Sequence, residues 1–160
     1  MIEVGDRIPG SEVRVMRDGT PVTVSMHELA GSGRVVLFAV PGAFTPGCSQ
    51  RHLPGFVAQA AEMSAKGVDR ILCLSVNDAY VMDAWGQAQA VGDTMVMVAD
   101  PAAAFTRDIG MDIDVSGLGL GLRSQRYAMV IEDGVVVAFM PEEGGLTIAA
   151  STSQCVLAAL

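Results

Sequence analysis

Two apolar runs rich in β-branched residues, Arg34-Val-Val-Leu-Phe-Ala-Val40 and Arg70-Ile-Leu-Cys-Leu-Ser-Val76, constrain this chain more than any other feature. Neither alternates apolar with polar side chains, so each reads as a strand covered on both faces. Between them, from Cys48 onward, Leu53, Phe56, Val57, Ala60 and Ala61 recur at helical spacing up to Lys66-Gly67, a basic last turn followed by glycine. The spacing predicts a helix of about five turns, kinked at Pro54, where the ring removes a backbone donor and clashes with the preceding turn.

The rest of the chain continues the alternation. Asn77-Asp78 offers an N-cap for a helix through Trp85 to Ala90, Met95 to Ala99 makes another strand, and Asp100-Pro101 is expected to open a short helix. Tyr127 to Glu132 and Val135 to Met140 flank the hairpin dipeptide Asp133-Gly134, and Ser151 to Leu160 reads as a terminal helix with Val156, Leu157 and Leu160 inward. At the start, Val13 and Val15, the turn Arg17-Asp-Gly-Thr20, then Val22 and Val24 predict an N-terminal hairpin. The expected fold is α/β, a central mixed β-sheet flanked by helices, formed by a single domain over residues 1–160.

Charge and composition exclude several functions. A net charge of −8 opposes binding to nucleic acid or anionic membranes. The longest apolar run, Val35 to Val40, falls far short of the roughly 20 residues of a membrane span. Acid precedes any base in Met1-Ile-Glu-Val-Gly-Asp6, without an apolar stretch, so a cytoplasmic location is expected. With only two histidines, both far in sequence from the other cysteines, no metal site is expected, nor any other cofactor. Gly117-Leu-Gly-Leu-Gly121 lacks the dinucleotide-loop pattern and reads as a loop; Asp112 and Asp114 make no convincing acid pair, and the ten methionines read as core filler.

The three cysteines form no C-x-x-C pair and are expected to be reduced. Cys48 ends the loop Pro41-Gly-Ala-Phe-Thr-Pro-Gly-Cys48, between the first buried strand and its helix. Thr45 is expected to cap that helix and Pro46 to occupy its first position, which puts the sulfur in the first turn. There, free backbone N–H groups and the positive end of the helix dipole favour a thiolate, the nucleophilic form. Location alone fits a buried core cysteine equally well. The fixed backbone of Pro41, Gly42, Pro46 and Gly47, with a hydroxyl three residues before the thiol, favours the nucleophile.

Pro41-Gly-Ala-Phe-Thr-Pro-Gly-Cys-Ser-Gln-Arg-His-Leu-Pro-Gly-Phe56 resembles the active-site signature of type II peroxiredoxins, and Val68-Asp-Arg-Ile-Leu-Cys-Leu-Ser-Val-Asn-Asp78 their second strand. The likeness continues through Val81-Met-Asp-Ala-Trp85 and Leu122-Arg-Ser-Gln-Arg-Tyr-Ala-Met-Val130, nearly the whole chain. It implies a thioredoxin-like fold and a cofactor-free thiol peroxidase that reduces hydrogen peroxide and organic hydroperoxides through a sulfenic acid. By resemblance Cys48 is the peroxidatic cysteine, Thr45 and loop N–H groups hold the peroxide oxygens, Pro41 shields the pocket, and Arg126 stabilises thiolate and leaving oxygen. The residues alone do not choose between Arg126 and Arg123. Gly42, Phe44 and Gly47 line the same loop; His52, four residues after Cys48, supports the site or is simply solvated.

A second thiol must reduce the sulfenic acid. Cys73 matches a second cysteine of plant-like members but is placed mid-strand, and Cys155 lies seven residues after Ile148, the approximate place of the animal resolving cysteine. Cys73, less readily Cys155, or an external reductant (glutathione, glutaredoxin or thioredoxin) remain the options. The family also implies a homodimer contact involving Phe44 and Trp85. The competing readings are a thioredoxin-like disulfide oxidoreductase, which needs two close thiols, and a non-enzymatic binding module.

Overall fold

In the computed structural model, which describes residues 1–160, β3 (Arg34–Ala39) and β4 (Arg70–Ser75) run parallel near the middle of a seven-stranded sheet. β4 also pairs in parallel with β5 (Val96–Ala99). The remaining pairings are antiparallel: β1 (Glu12–Arg17) with β2 (Thr20–Ser25) and β5, β8 (Tyr127–Glu132) with β3 and β9 (Val135–Pro141). The order is β2-β1-β5-β4-β3-β8-β9. A separate two-stranded ribbon joins β6 (Asp112–Asp114) to β7 (Leu122–Ser124), with the glycine-rich stretch 117–121 as its connection.

The side-chain alternation of β3 sorts the core into two layers, as continuous apolar strands require when both faces are covered. Val35, Leu37 and Ala39 join one apolar layer, Val36, Phe38 and Val40 the other. The first is closed by α1 (Met26–Ala30) and α4 (Ala104–Asp108) through Met26, Leu29 and Phe105. The second is closed by α2 (Leu53–Ala65), α3 (Ala79–Ala88) and α5 (Ser153–Ala159) through Leu53, Phe56, Met82, Trp85 and Val156. Both two-residue hairpin turns, Asp18-Gly19 and Asp133-Gly134, have positive φ at each residue, the geometry that matches strand twist.

Three expectations about helix starts need correction. The helix after Cys48 is not kinked mid-course: residues Cys48–His52 form a π turn, with Leu53 N–H donating to the Cys48 carbonyl, and Pro54 falls in the first turn of α2. Widening the turn ahead of Pro54 removes the demand for its missing N–H and relieves the ring's clash with the preceding turn. Asp100 does not adjoin its helix; from the preceding turn it accepts hydrogen bonds from Phe105 N–H (3.3 Å), Thr106 N–H (2.9 Å) and Thr106 Oγ1 (2.7 Å). Pro101 therefore lies in a turn and α4 begins at Ala104, preceded by left-handed Ala103. The terminal helix starts at Ser153, capped by Thr152, and Leu160 is only partly buried. Helix α1, too short for a periodic signal, was not expected; Ser25 caps it by accepting from His27 N–H.

Asp100 is 1% exposed, so its removal strands buried donors. Asp100→Ala is expected to cost about 2 kcal/mol, lowering the melting temperature by roughly 4–8 °C for a chain this long. Thermal denaturation followed by circular dichroism checks this, and an unchanged midpoint would refute the capping role.

Candidate active site

The loop between β3 and the π turn is set by a short series of bonds. Pro41 and Gly42 are buried, and a Cβ on Gly42 would come within 3.1 Å of Thr45 Cγ2 and 3.3 Å of Arg123 Nη1, so the chain passes where a side chain does not fit. Ala43 N–H donates to Asn77 Oδ1 at 3.0 Å, and the same oxygen accepts from Ser75 Oγ at 2.7 Å, tying the loop to the end of β4. Phe44 takes a left-handed conformation (φ 64°) and is 54% exposed. Its reversal turns Thr45 back so that Oγ1 donates to the Gly42 carbonyl at 2.7 Å.

This corrects the expected side-chain cap: Thr45 opens the helix through its carbonyl, which accepts from Ser49 N–H at 2.9 Å. The hydroxyl proton is held by Gly42, leaving the oxygen's lone pairs to accept a bond from elsewhere. Pro46 follows at the first helical position and Cys48, fully buried, sits in the first turn as the spacing implied.

Arg126 enters from the start of β8. It is 4% exposed, and its backbone bonds to Gly145 and Glu142 lock its position. Nη2 donates to Cys48 Sγ at 3.3 Å, Nη1 to His52 Nδ1 at 2.9 Å, and Nε to the Leu146 carbonyl at 3.3 Å. Arg123 instead holds the carbonyls of Leu120 and Val76. Of the two arginines, Arg126 is the one with a hydrogen bond to the sulfur. A Cβ on Gly47 would lie 3.5 Å from Arg126 Nη2 and 3.3 Å from Ile148 Cδ1, so the glycine leaves close space for the guanidinium.

His52 is not solvated. It is 1% exposed, packed edge-on to Phe38 and Phe56, which stack on each other at 3.9 Å. Its Nε2 lies 2.8 Å from the Ser151 carbonyl, which can only accept, so Nε2 carries the proton and Nδ1 is free to accept from Arg126. Burial pulls its pKa down to about 4, with the Arg126 charge adding to this and the Ser151 carbonyl and Glu142 carboxylate opposing it. The imidazole is neutral at physiological pH.

Cys73 lies on β4 opposite Phe38 and Met97 and faces the same apolar layer as Cys48. Burial, reinforced by Cys48 and opposed by Arg126, pushes its thiol well above the usual range, which keeps it protonated. Cys155 is half-buried in the first turn of α5, bonded to Thr152 and the Ala149 carbonyl. Trp85, expected at a homodimer contact, is instead fully buried, its Nε1 donating to Ser49 Oγ at 2.9 Å within the π turn.

Asn77, Ser151 and Glu142 were missed as parts of this site. Asn77 had a residue-level signal, a polar side chain at a strand's carboxyl end; Glu142 and Ser151, in a loop without periodicity, had none. A surface depression between α3 and β5, lined by Met16, Met95 and Met97 among others, lies apart from these residues. No group of three or more His, Cys, Asp or Glu side chains is arranged to hold a metal ion, and no helix is long and apolar enough to cross a membrane. The arrangement can stabilise negative charge on a buried sulfur and on an atom bonded to it, beside a hydroxyl presenting lone pairs.

Comparison with known proteins agrees with that chemistry. The redoxin family model matches residues 3–149. Peroxiredoxin-2E-2, chloroplastic, of Oryza sativa subsp. japonica is 46% identical over 158 residues, 96% of this chain and 70% of that protein. Peroxiredoxin-2B of Arabidopsis thaliana is 42% identical over 145 residues, 90% of each chain. The structure of reduced Prx3 in complex with hydrogen peroxide from Vibrio vulnificus superposes with a TM-score of 0.93 at 46% identity, covering 99% of both chains. Fold, sequence and relatives agree over most of the length: the chain belongs to the redoxin family as a type II peroxiredoxin of the thioredoxin superfamily, a thiol-dependent peroxidase.

Proposed function

We propose that Cys48 is the peroxidatic nucleophile and that residues 1–160 form the one domain that serves it, reducing hydrogen peroxide and organic hydroperoxides. The observation that carries this reading is the Arg126 Nη2 bond to Cys48 Sγ at 3.3 Å, made by a side chain that stays charged at any working pH. The sulfur lone pair attacks the distal peroxide oxygen, which keeps its proton; the S–O bond forms as the O–O bond breaks, sulfur is oxidised to sulfenic acid, and the other oxygen leaves as an alkoxide or hydroxide that is protonated by water on release. Arg126 balances charge as it moves from sulfur to the leaving oxygen. Thr45, its own proton held by Gly42, accepts the peroxide O–H, and Pro41 and Gly42 close the site against water. Neutral His52 supports Arg126 by accepting its Nη1–H at Nδ1.

No disulfide oxidoreductase dithiol exists at Cys48, whose neighbours are Ser49, Gln50 and Arg51, and a binding module has no use for this charge arrangement. The reductant we infer is an external thiol, glutathione or that of a glutaredoxin or thioredoxin, attacking oxidised Cys48 directly for at least part of the flux. Cys73, the internal alternative, faces the same layer but is fixed mid-strand and held as a thiol, the less nucleophilic form. The cytoplasm, a reducing compartment, suits three unpaired thiols. The homodimer contact that the family implies would be centred on Phe44, which is 54% exposed beside the site.

Trp85, the only tryptophan, is bonded into the π turn, so its fluorescence is a direct reporter of Cys48 oxidation. In stopped-flow experiments with hydrogen peroxide, Cys48→Ser is expected to abolish the signal. Thr45→Val is expected to slow it by about 100-fold, whereas Thr45→Ser keeps most of the rate; a wild-type rate no faster than free cysteine rejects the assignment. Mass spectrometry after one equivalent of peroxide with glutathione present should find a Cys48–glutathione adduct, and a quantitative Cys48–Cys73 or Cys48–Cys155 bridge without it overturns the external route. Sedimentation should show a dimer that Phe44→Asp dissociates; a monomeric wild type removes the dimer from the reading.

A further inference from the structure

We propose that Glu142 is a positioning residue for Arg126, acting through Ser151 and His52 from the far side of the site. The proposal rests on the assignment of Arg126 to the peroxidatic cysteine and deepens it. Glu142 is 5% exposed, an unusual place for a carboxylate, and every donor it receives comes from one short stretch. Oε1 accepts from Ala149 N–H (2.8 Å), Ser151 N–H (2.8 Å) and Ser151 Oγ (2.7 Å), and Oε2 from Thr147 Oγ1 (3.2 Å). Burial opposes the charge, but the Ser151 hydroxyl and the Ala149, Ala150 and Ser151 N–H groups outweigh it and hold the carboxyl down to about 2, so it is ionised whenever the enzyme is folded and working.

The stretch gathered on Glu142 is the one that holds Arg126 and its neighbour. The Leu146 carbonyl accepts Arg126 Nε, and the Ser151 carbonyl accepts His52 Nε2. With its N–H and hydroxyl both on Glu142, Ser151 is held at its nitrogen and at its side chain, which anchors the residue whose carbonyl meets His52. That carbonyl draws the imidazole proton to Nε2. Nδ1 is thereby left bare for Arg126 Nη1–H, and Nη2 is left for the sulfur. In the opposite tautomer two N–H groups would face each other across 2.9 Å, and the guanidinium would turn away from Cys48. A carboxylate that never touches the reacting atoms thus selects the tautomer that aims the arginine at the thiolate.

The test uses the full chain and two readouts. In the wild type, ¹⁵N-detected NMR of the His52 ring should show a single Nε2–H tautomer, and oxidation by hydrogen peroxide, followed through Trp85, should be fast. Glu142→Ala should give mixed tautomers and a rate constant lower by about tenfold or more, since small misplacements of a catalytic group cost up to roughly a hundredfold. Glu142→Gln keeps an oxygen for Ala149 and Ser151 and should recover the tautomer and most of the rate. If Glu142→Ala does not fold, Ser151→Ala, which keeps the carbonyl but loses the hydroxyl's bond to Glu142 and its 3.3 Å contact with His52 Nε2, should still show a second set of ring signals and a slower rate. A wild-type tautomer and rate in the folded Glu142→Ala variant, or in Ser151→Ala where that is the one read, overturn the proposal even if the melting temperature falls. A wild type as slow as free cysteine would instead discredit the Cys48–Arg126 assignment, and the NMR readout would remain interpretable by itself.

Discussion

A guanidinium buried to 4% exposure governs the organisation of this site. Arg126 cannot shed its charge, and taking such an ion out of water costs several kcal/mol unless its N–H groups find acceptors. Its acceptors are the Leu146 carbonyl and, from the π turn, His52 Nδ1 and Cys48 Sγ, so two separated parts of the chain supply them. Each in turn has to be presented with a lone pair rather than a proton toward Arg126. The conformations of the π turn and of the loop after β9 are therefore conditions for burying Arg126, not independent features.

The sheet topology brings these parts together. Cys48 and Arg126 are 78 residues apart, yet β3 and β8 are neighbours, with Ala39 opposite Tyr127. Because the pair is antiparallel, the carboxyl end of β3, which launches the Cys48 loop, lies beside the amino end of β8, which Arg126 precedes. β4 runs parallel on the other side of β3, so its carboxyl end supplies Asn77 to the same loop. Three strand ends, the carboxyl ends of β3 and β4 and the amino end of β8, thus meet at one end of the central strands, in keeping with the tendency of α/β proteins to place their sites at strand carboxyl ends.

That geometry sets what could be read from the residues alone. β3 and β4 were legible because continuous β-branched runs between turn signals have few other solutions, and both hairpins because Asp-Gly fits the positive φ angles their turns use. The first-turn position of Cys48 was legible from Pro46 and the helical spacing after it. The role of the Thr45 hydroxyl was misread because a cap and a reverse bond to Gly42 need the same residue type at the same place; Phe44's left-handed φ decides between them, and nothing in an apolar side chain announces it. Pro54 signalled a disturbance, but a kink and a π turn both answer the missing N–H. Glu142 stayed hidden because its partners are backbone N–H groups and hydroxyls in an irregular loop, and such bonds leave no periodicity.

The closed packing also fixes what the second half of a catalytic cycle must overcome. Cys48 and Cys73 are both fully buried, so neither a large external thiol nor the internal one meets an oxidised Cys48 without movement. Moving the π turn means breaking the Asn77 bond to its N-terminal loop, the Trp85–Ser49 bond and the Arg126 bonds to Cys48 and His52, while Pro54 adds no backbone hydrogen bond beyond it. The stacked Phe38 and Phe56 and the strand around Cys73, in contrast, belong to the packed layer. Moving Cys48 outward breaks a handful of bonds at the end of the helix, whereas moving Cys73 disrupts pairing with both β3 and β5. That difference in packing supports the external thiol proposed above, since it reaches Cys48 without disturbing the central strands.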